Sequence, residues 1–371
     1  MKMTSKREVV DVKRCVRCVM PETYPGITFN EDGVCNLCQY YEHHWDTWMN
    51  SAEEQDKSEE KLLRIFETAK RKHRPYDALI GISGGKDSSY MLYLCRKVYD
   101  LNVLTYTVHN GFRTDEVNAR VDKLVKKFKV PHIDCYEPLA RELAGVCMRK
   151  TGHFCSICEL LMYNTTQVVA AEYDVPLIIM GSSSRTEAPP PKHLNPWDPW
   201  YISNILKGEN YQERLRCSFF ARNYVIKAGL AQLLGKRRLL LLPNYVSWNE
   251  HKIHEQFQKE FDFDFGGEHS DCWATRIAAY LYAKKCGGTA PMVSKYSMFI
   301  RSGEMSREEA MNKLANLEVG EPPPELARFL EEYNMTREEF DEASERSTGP
   351  YLKVMSQLFN TLRKRLRGQA I

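Results

Sequence analysis

The feature that most constrains the fold is the apolar run Asp77-Ala-Leu-Ile-Gly-Ile82 leading directly into Ser83-Gly84-Gly85-Lys86-Asp87-Ser88-Ser89. A short strand-like run is stopped by a Ser-Gly-Gly turn and followed, over residues 87–98, by apolar residues at helical spacing. Strand, glycine turn and helix in that order open a βαβ unit. The pattern then repeats: residues 102–108 read as a second strand, 115–128 as an amphipathic helix with Val117, Val121, Leu124 and Val125 on one face, and 132–136 as a third strand. Residues 139–150 and 157–173 read as helices, 176–180 as a fourth strand and 237–242 as one more buried strand. Such alternation predicts an α/β fold, a parallel doubly wound sheet with helices on both faces.

The loop between the first strand and its helix suits an anion. Two glycines permit positive φ and close backbone approach, so successive N–H groups can converge on a phosphate while the helix N-terminus adds its positive end. Ser83, Ser88 and Ser89 can donate hydroxyls, Lys86 can neutralise charge, and Asp87 can hold Mg²⁺ directly or through water. The spacing is not that of a G-x-x-x-x-G-K-[ST] loop. The plain alternative is a Ser/Gly-rich turn that binds nothing. His109 ends the second strand, and Gly181, Ser182 and Arg185 follow the fourth, at the sheet edge where open α/β folds take ligands. Arg185 has a planar fork that fits a phosphate or carboxylate, with a surface arginine as the alternative.

Twelve cysteines punctuate the chain, six of them in C-x-x-C pairs. Cys15 and Cys18 are separated from Cys35 and Cys38 by residues 19–34, the spacing of two knuckles closing four thiolates around one ion. Four thiolates with no open position point to structural Zn²⁺, with an iron–sulfur cluster or unligated thiols as alternatives. Cys155 and Cys158 form the other pair, and Cys272 or Cys217 could add a third thiolate. That candidate second site could hold zinc, completed by His153 or His269, or an iron–sulfur cluster, or the cysteines could simply be packed as small hydrophobes.

With 371 residues and 43% hydrophobic composition the chain can bury a sizeable core. It has no run of 18 apolar residues, and its first seven residues lack a signal-peptide pattern, so a reducing cytoplasm is the expected setting and a membrane is not. A net charge of +3 argues against nucleic acid as the main partner. The basic run at residues 363–367 reads as a solvated helix end. The expected organisation is a zinc-knuckle segment over residues 1–48, a linker helix over 49–74, an α/β domain carrying the phosphate loop over 75–250 and a mostly helical region over 251–371. Within these, residues 188–196 read as a mobile proline-rich loop, 270–286 and 306–317 as helices, the latter with a Ser306/Glu309 capping box, and 321–324 as a break before a helical tail.

The S-G-G-x-D-S pattern of Ser83 to Ser88 resembles the signature of the PP-loop (HUP-like) ATP pyrophosphatases over about residues 76–245. That resemblance implies ATP cleavage between the α and β phosphates, with the loop holding the departing pyrophosphate and His109 near the adenine and ribose. The segments Arg14–Phe29, Asp32–Cys38 and Lys295–Ala310, with the Ser83–Ser89 loop, resemble the N-acetyl sugar amidotransferase family of the WbpG and PseA type. It implies adenylation of an acetamido oxygen on a nucleotide-linked or acidic sugar and its replacement by ammonia-derived nitrogen, in lipopolysaccharide or nonulosonic acid biosynthesis. Lys86, Asp87 and Arg185 are then the expected catalytic residues, and Lys295 and Arg301 further helpers. Ammonia is expected from a separate glutaminase and cyclase pair similar to HisH and HisF. The readings left standing beside it are a PP-loop tRNA sulfurtransferase and a non-catalytic zinc-knuckle binding protein.

Overall fold

A computed structural model describes residues 12–187, 201–221, 234–261, 272–315 and 321–351, with a few single residues between these spans. Five parallel strands form its one sheet: β1 (Ala78–Gly81), β2 (Val103–His109), β3 (His132–Tyr136), β4 (Leu177–Met180) and β5 (Arg238–Leu241). Their order is β3-β2-β1-β4-β5, with Ala78 opposite both Val103 and Leu177. The chain builds outward from β1 on one side through β2 and β3, then crosses to place β4 on the other. The order therefore reverses between β1 and β4, and in open α/β sheets the crevice beyond the C-terminal ends at such a reversal is where ligands are taken.

Side chains of a strand alternate between faces, and here both faces are apolar. Ala78, Ile80, Val103, Leu177 and Ile179 share a core with Leu62, Phe66, Leu92 and Val121, whereas Leu79, Leu104 and Ile178 pack with Val169 and Ala170. A sheet covered on both faces needs continuous apolar strands at its centre, which is why β1 and β4 carry no polar side chain.

Fourteen helices are distinguished among the described residues. Those before β5 are α1 (Asn36–Asn50), α2 (Ala52–Lys70), α3 (Lys86–Tyr93), α4 (Asp115–Phe128), α5 (Leu139–Thr151), α6 (Cys155–Glu172) and the short α7 (Tyr201–Ile205) and α8 (Gln212–Arg216). After β5 come α9 (Glu250–Phe261), α10 (Thr275–Lys285), α11 (Pro291–Arg301), α12 (Arg307–Ala315), α13 (Glu325–Glu332) and α14 (Arg337–Ser344). Ser51 caps α2 by accepting from the Glu54 N–H, and the helix buries Leu62, Ile65, Phe66 and Ala69 against the sheet core. Each large apolar side chain so buried contributes roughly 1.5–3 kcal/mol. The anticipated capping box at α12 is present on its first side, with the Glu309 N–H donating to Ser306 Oγ at 3.0 Å.

The N-terminal knuckles do not stand apart from the C-terminal helices. Val19, Met20 and Tyr24 share one core with Cys286, Val293, Met305 and Ala310, and the Tyr24 and Tyr282 hydroxyls lie 2.8 Å apart. No helix among the described residues is long and apolar enough to cross a membrane. The proline-rich loop at 188–196, the basic run at 363–367, the first residues and His269 lie outside the described residues.

Candidate active site and four-cysteine centre

The loop expected to bind phosphate sits at the C-terminal end of β1, inside the crevice. Gly84 has φ +84, and a Cβ built on it would meet Val117 O at 3.2 Å, so both its conformation and its space demand glycine. Ser83 Oγ accepts from the Gly85 N–H at 3.2 Å and lies 3.3 Å from Ser88 Oγ. Ser88 and Ser89 hydroxyls donate to Gly85 O at 3.1 and 2.9 Å. These short-range bonds curl the loop before α3. Gly84→Ala is expected to cost about 1–2 kcal/mol through the left-handed conformation alone. Urea denaturation checks it, an unchanged midpoint meaning that the loop relaxes.

Lys86 and Asp87 open α3. Lys86 Nζ lies 2.9 Å from Asp87 Oδ2 and 3.1 Å from Glu250 Oε2, and Glu250 Oε1 lies 2.8 Å from Lys295 Nζ. Asp87 Oδ1 accepts from Trp248 Nε1 at 2.9 Å. Burial opposes charge on Lys86, but Asp87 and Glu250 outweigh it and raise its pKa. Burial likewise opposes charge on Glu250, where Lys86 and Lys295 prevail and lower it. For Lys295 burial wins, and its pKa falls despite Glu250. Glu187, an exposed carboxyl just past β4, lies within electrostatic reach of Asp87 and Lys86.

The other expected nucleotide residues are brought to the same edge in different ways. Gly181 abuts the loop: a Cβ there would lie 3.2 Å from Met91 Sδ and 3.4 Å from Asp87 Cβ. Ser182 is half-buried beside it. His109 stacks on Tyr136 at 4.3 Å and its Nε2 lies 2.6 Å from Asp134 Oδ1, a rigid aromatic pair at the ends of β2 and β3.

Arg185 is placed differently from the expectation that it faces an anion. Its guanidinium donates to Pro243 O and to Val246 O at 2.6 Å, and lies over the Trp48 ring at 4.3 Å. Burial pushes its pKa down to about 10. The side chain ties the segment after β4 to α1 and to residues 243–246. Arg113 takes a position near the loop instead, its guanidinium donating to Ser83 O at 3.4 Å.

Cys15, Cys18, Cys35 and Cys38 are buried and bring all four sulfurs within 4.8 Å of one another. Two of the Sγ separations are 3.9 Å (Cys15 to Cys38) and 3.7 Å (Cys18 to Cys35). N–H groups of Cys18, Cys35 and Cys38 donate to neighbouring sulfurs, which favours thiolates. The set fits a metal ion held by four thiolates. Arg301 was expected among the active-site helpers and lies here: its guanidinium donates to Cys38 Sγ at 3.3 Å and Cys18 Sγ at 3.5 Å. Arg307 donates to Cys18 O at 3.1 Å.

Cys155, Cys158 and Cys272 come together on the aromatic cluster around Phe112, Phe154 and Phe329, and Asn110 donates to Cys158 Sγ at 3.3 Å. Burial and then Cys158, Glu159 and Cys272 drive the Cys155 thiol well above its ordinary value. Among the described residues only the N-terminal four gather ligand atoms within 4.8 Å, so the three thiols share a neighbourhood without closing on one ion in this arrangement.

Sequence reasoning missed Trp248, Glu250, Glu187 and Arg113. Nothing local marks them, since each acquires its role by arriving at the loop from a distant segment.

Comparison with solved structures gives NMN synthetase from Francisella tularensis, at 10% identity and TM-score 0.35 over 73% of this chain and 98% of that one. It also gives the U34-tRNA thiolase NcsA from Methanococcus maripaludis with its [4Fe-4S] cluster, at 15% identity and TM-score 0.33, covering 83% of this chain and 89% of that one. A third is the NH3-dependent NAD synthetase from Campylobacter jejuni, at 13% identity and TM-score 0.29, covering 55% and 94%. At these TM-scores the likeness carries no argument. None of the curated proteins matches the chain. Residues 255–365 match the family model described as LPS biosynthesis protein WbpG-like, C-terminal domain, and over this region the chain is similar to that family.

Proposed function

We propose that the protein is an ATP-dependent amidotransferase that converts an acetamido group on a nucleotide-linked or acidic sugar into an acetamidino group. The observation that carries this reading is that the WbpG-like region reaches the phosphate loop itself, through Lys295, Glu250 and Lys86. An amide oxygen is a poor leaving group, so the chemistry must first activate it.

In the proposed reaction the acetamido oxygen attacks the α phosphorus of ATP, the bond from that phosphorus to the bridging oxygen breaks, and pyrophosphate departs. Loop N–H groups and the hydroxyls of Ser83, Ser88 and Ser89 would hold the departing phosphates, with Lys86 neutralising charge that grows on them. Mg²⁺, for which Asp87 offers a carboxylate, would supply further charge neutralisation. Ammonia then attacks the activated carbon, the carbon–oxygen bond breaks and AMP leaves. The attacking nitrogen sheds a proton, and Glu187, a carboxyl near Asp87 and Lys86 at this edge of the sheet, is the candidate acceptor. Ammonia would come from a separate glutaminase and cyclase pair resembling HisH and HisF.

For the four-thiolate site we propose Zn²⁺ with a structural role. A tetrahedron of Zn–S bonds of about 2.3 Å sets sulfurs roughly 3.8 Å apart, in line with the observed 3.9 and 3.7 Å. A four-iron cluster would spread the thiolates farther, each capping its own iron.

The test is mass spectrometry of acetamido sugars incubated with the protein, ATP, Mg²⁺ and ammonium. The expected product differs by replacement of O with NH, and AMP and pyrophosphate accumulate with it. A second reading, sulfur transfer to tRNA, is favoured by the gathering of Cys155, Cys158 and Cys272 beside Asn110. Visible absorbance after iron–sulfur reconstitution, together with tRNA binding and no amidino product, would replace the first reading by the second.

A further inference from the structure

Two ammonium groups converge on one carboxylate at the mouth of the phosphate loop. Glu250 offers one oxygen to Lys86 at 3.1 Å and the other to Lys295 at 2.8 Å, with side-chain exposures of 18%, 22% and 20%. Each member is held from behind. The Glu250 N–H donates to Glu304 Oε2 at 2.9 Å, so the segment after α11 fixes the first residue of α9. Lys295 lies over the Phe299 ring at 4.9 Å, which restricts its stem, and Lys86 is fixed by Asp87. A carboxylate bridging two lysines beside a phosphate loop occupies the place and the charge that one phosphate group of a polyphosphate would take. It is an anion the protein supplies itself.

We propose that Lys295 is a second phosphate-binding cation of this site, presented by the C-terminal region, and that Glu250 is the internal anion a bound polyphosphate displaces from Lys86 and Lys295. The assignment rests on the reading of residues 83–89 as a phosphate loop. It gives α11 a purpose that its position in the sequence does not disclose, because residue 295 is far along the chain from residue 86. It also separates the two lysines by role. Lys86 belongs to the loop and moves with it, whereas Lys295 arrives only when the C-terminal helices are docked.

The experiment is calorimetric titration of the full chain with pyrophosphate in the presence of Mg²⁺, which needs no sugar and no turnover. Lys295→Met is expected to weaken binding about tenfold or more, the ordinary loss when one charge-assisted hydrogen bond to an anion is removed. Lys295→Arg keeps the charge and is expected to stay within a few-fold of the unmodified protein, which separates loss of a ligand from loss of fold. Glu250→Gln removes the competing charge and is expected to tighten binding. A lysine that serves only as a strut predicts the reverse for this variant, with lower stability and affinity unchanged or weaker, and that result would overturn the proposal. So would unchanged affinity in Lys295→Met. If the unmodified protein bound no pyrophosphate at all, the phosphate-loop reading would fall and this assignment with it.

Discussion

Asp87→Asn is expected to lower ATP–pyrophosphate exchange by about two to three decades, on the several kcal/mol that charge stabilisation by a metal-binding carboxylate supplies to nucleotidyl transfer. Its carboxylate is the group in the loop placed to bind a cation: one oxygen is held by Trp248 and the other by Lys86. Asparagine keeps the shape and one acceptor, so the far-UV circular dichroism and the core around Leu92 should be unchanged. Ser83→Ala is expected to act in the same direction and more weakly, because one hydroxyl is lost from several donors. The products distinguish the chemistry. AMP and pyrophosphate are expected, and release of ADP and inorganic phosphate would contradict cleavage at the α phosphorus.

Replacing any one of Cys15, Cys18, Cys35 and Cys38 by serine is expected to remove the bound metal, about one equivalent of zinc, and to destabilise the protein on the order of several kcal/mol. A stretch as short as residues 12–38 builds little core of its own, so ligation supplies its folding energy. The damage should spread. Arg301 is half-buried, its pKa held above the ordinary value against burial by Cys18 and Cys38, and loss of the thiolates leaves that charge without its partners. Limited proteolysis should then open residues 12–38 together with α11, and elemental analysis of freshly purified protein reads the metal directly. Iron with acid-labile sulfide in place of zinc would reject the assignment. Wild-type melting of Cys15→Ser would reject the structural role.

The parts of the fold that were legible in the sequence are those governed by local pattern. Residues 115–128 and 132–136 fall where the apolar spacing puts them, and α2 and α6 differ from expectation only at their ends, where caps and fraying decide. The tight turn of residues 83–89 was legible because its glycines and serines act on neighbours. Charged side chains whose partners lie far away were not. Arg185 follows β4 like a ligand-binding arginine, yet its donors are satisfied by the carbonyls of Pro243 and Val246 and its face by Trp48, none of which its own segment predicts. Lys295 and Arg301 are six residues apart in one motif but serve two different sites, one at Glu250 and one at the thiolates. Helix α1 escaped notice because its cap is Cys35, whose sulfur accepts from the Cys38 N–H, and the cysteine spacing drew attention to metal rather than to capping.

The join between the N-terminal knuckles and the C-terminal helices also sets an order of events during synthesis. Arg301 and Cys18 are 283 positions apart, and Met20 meets Met305 and Ala310 in one core. At about 5–20 residues per second, the knuckles emerge tens of seconds before the helices that cover them. Metal can close the four thiolates in that interval, since all four lie within residues 15–38. The apolar face of Val19, Met20 and Tyr24 must wait in the open. The nascent chain therefore carries a sticky, uncovered head through most of its translation, and loss of residues 291–315 should show first as aggregation of new chains.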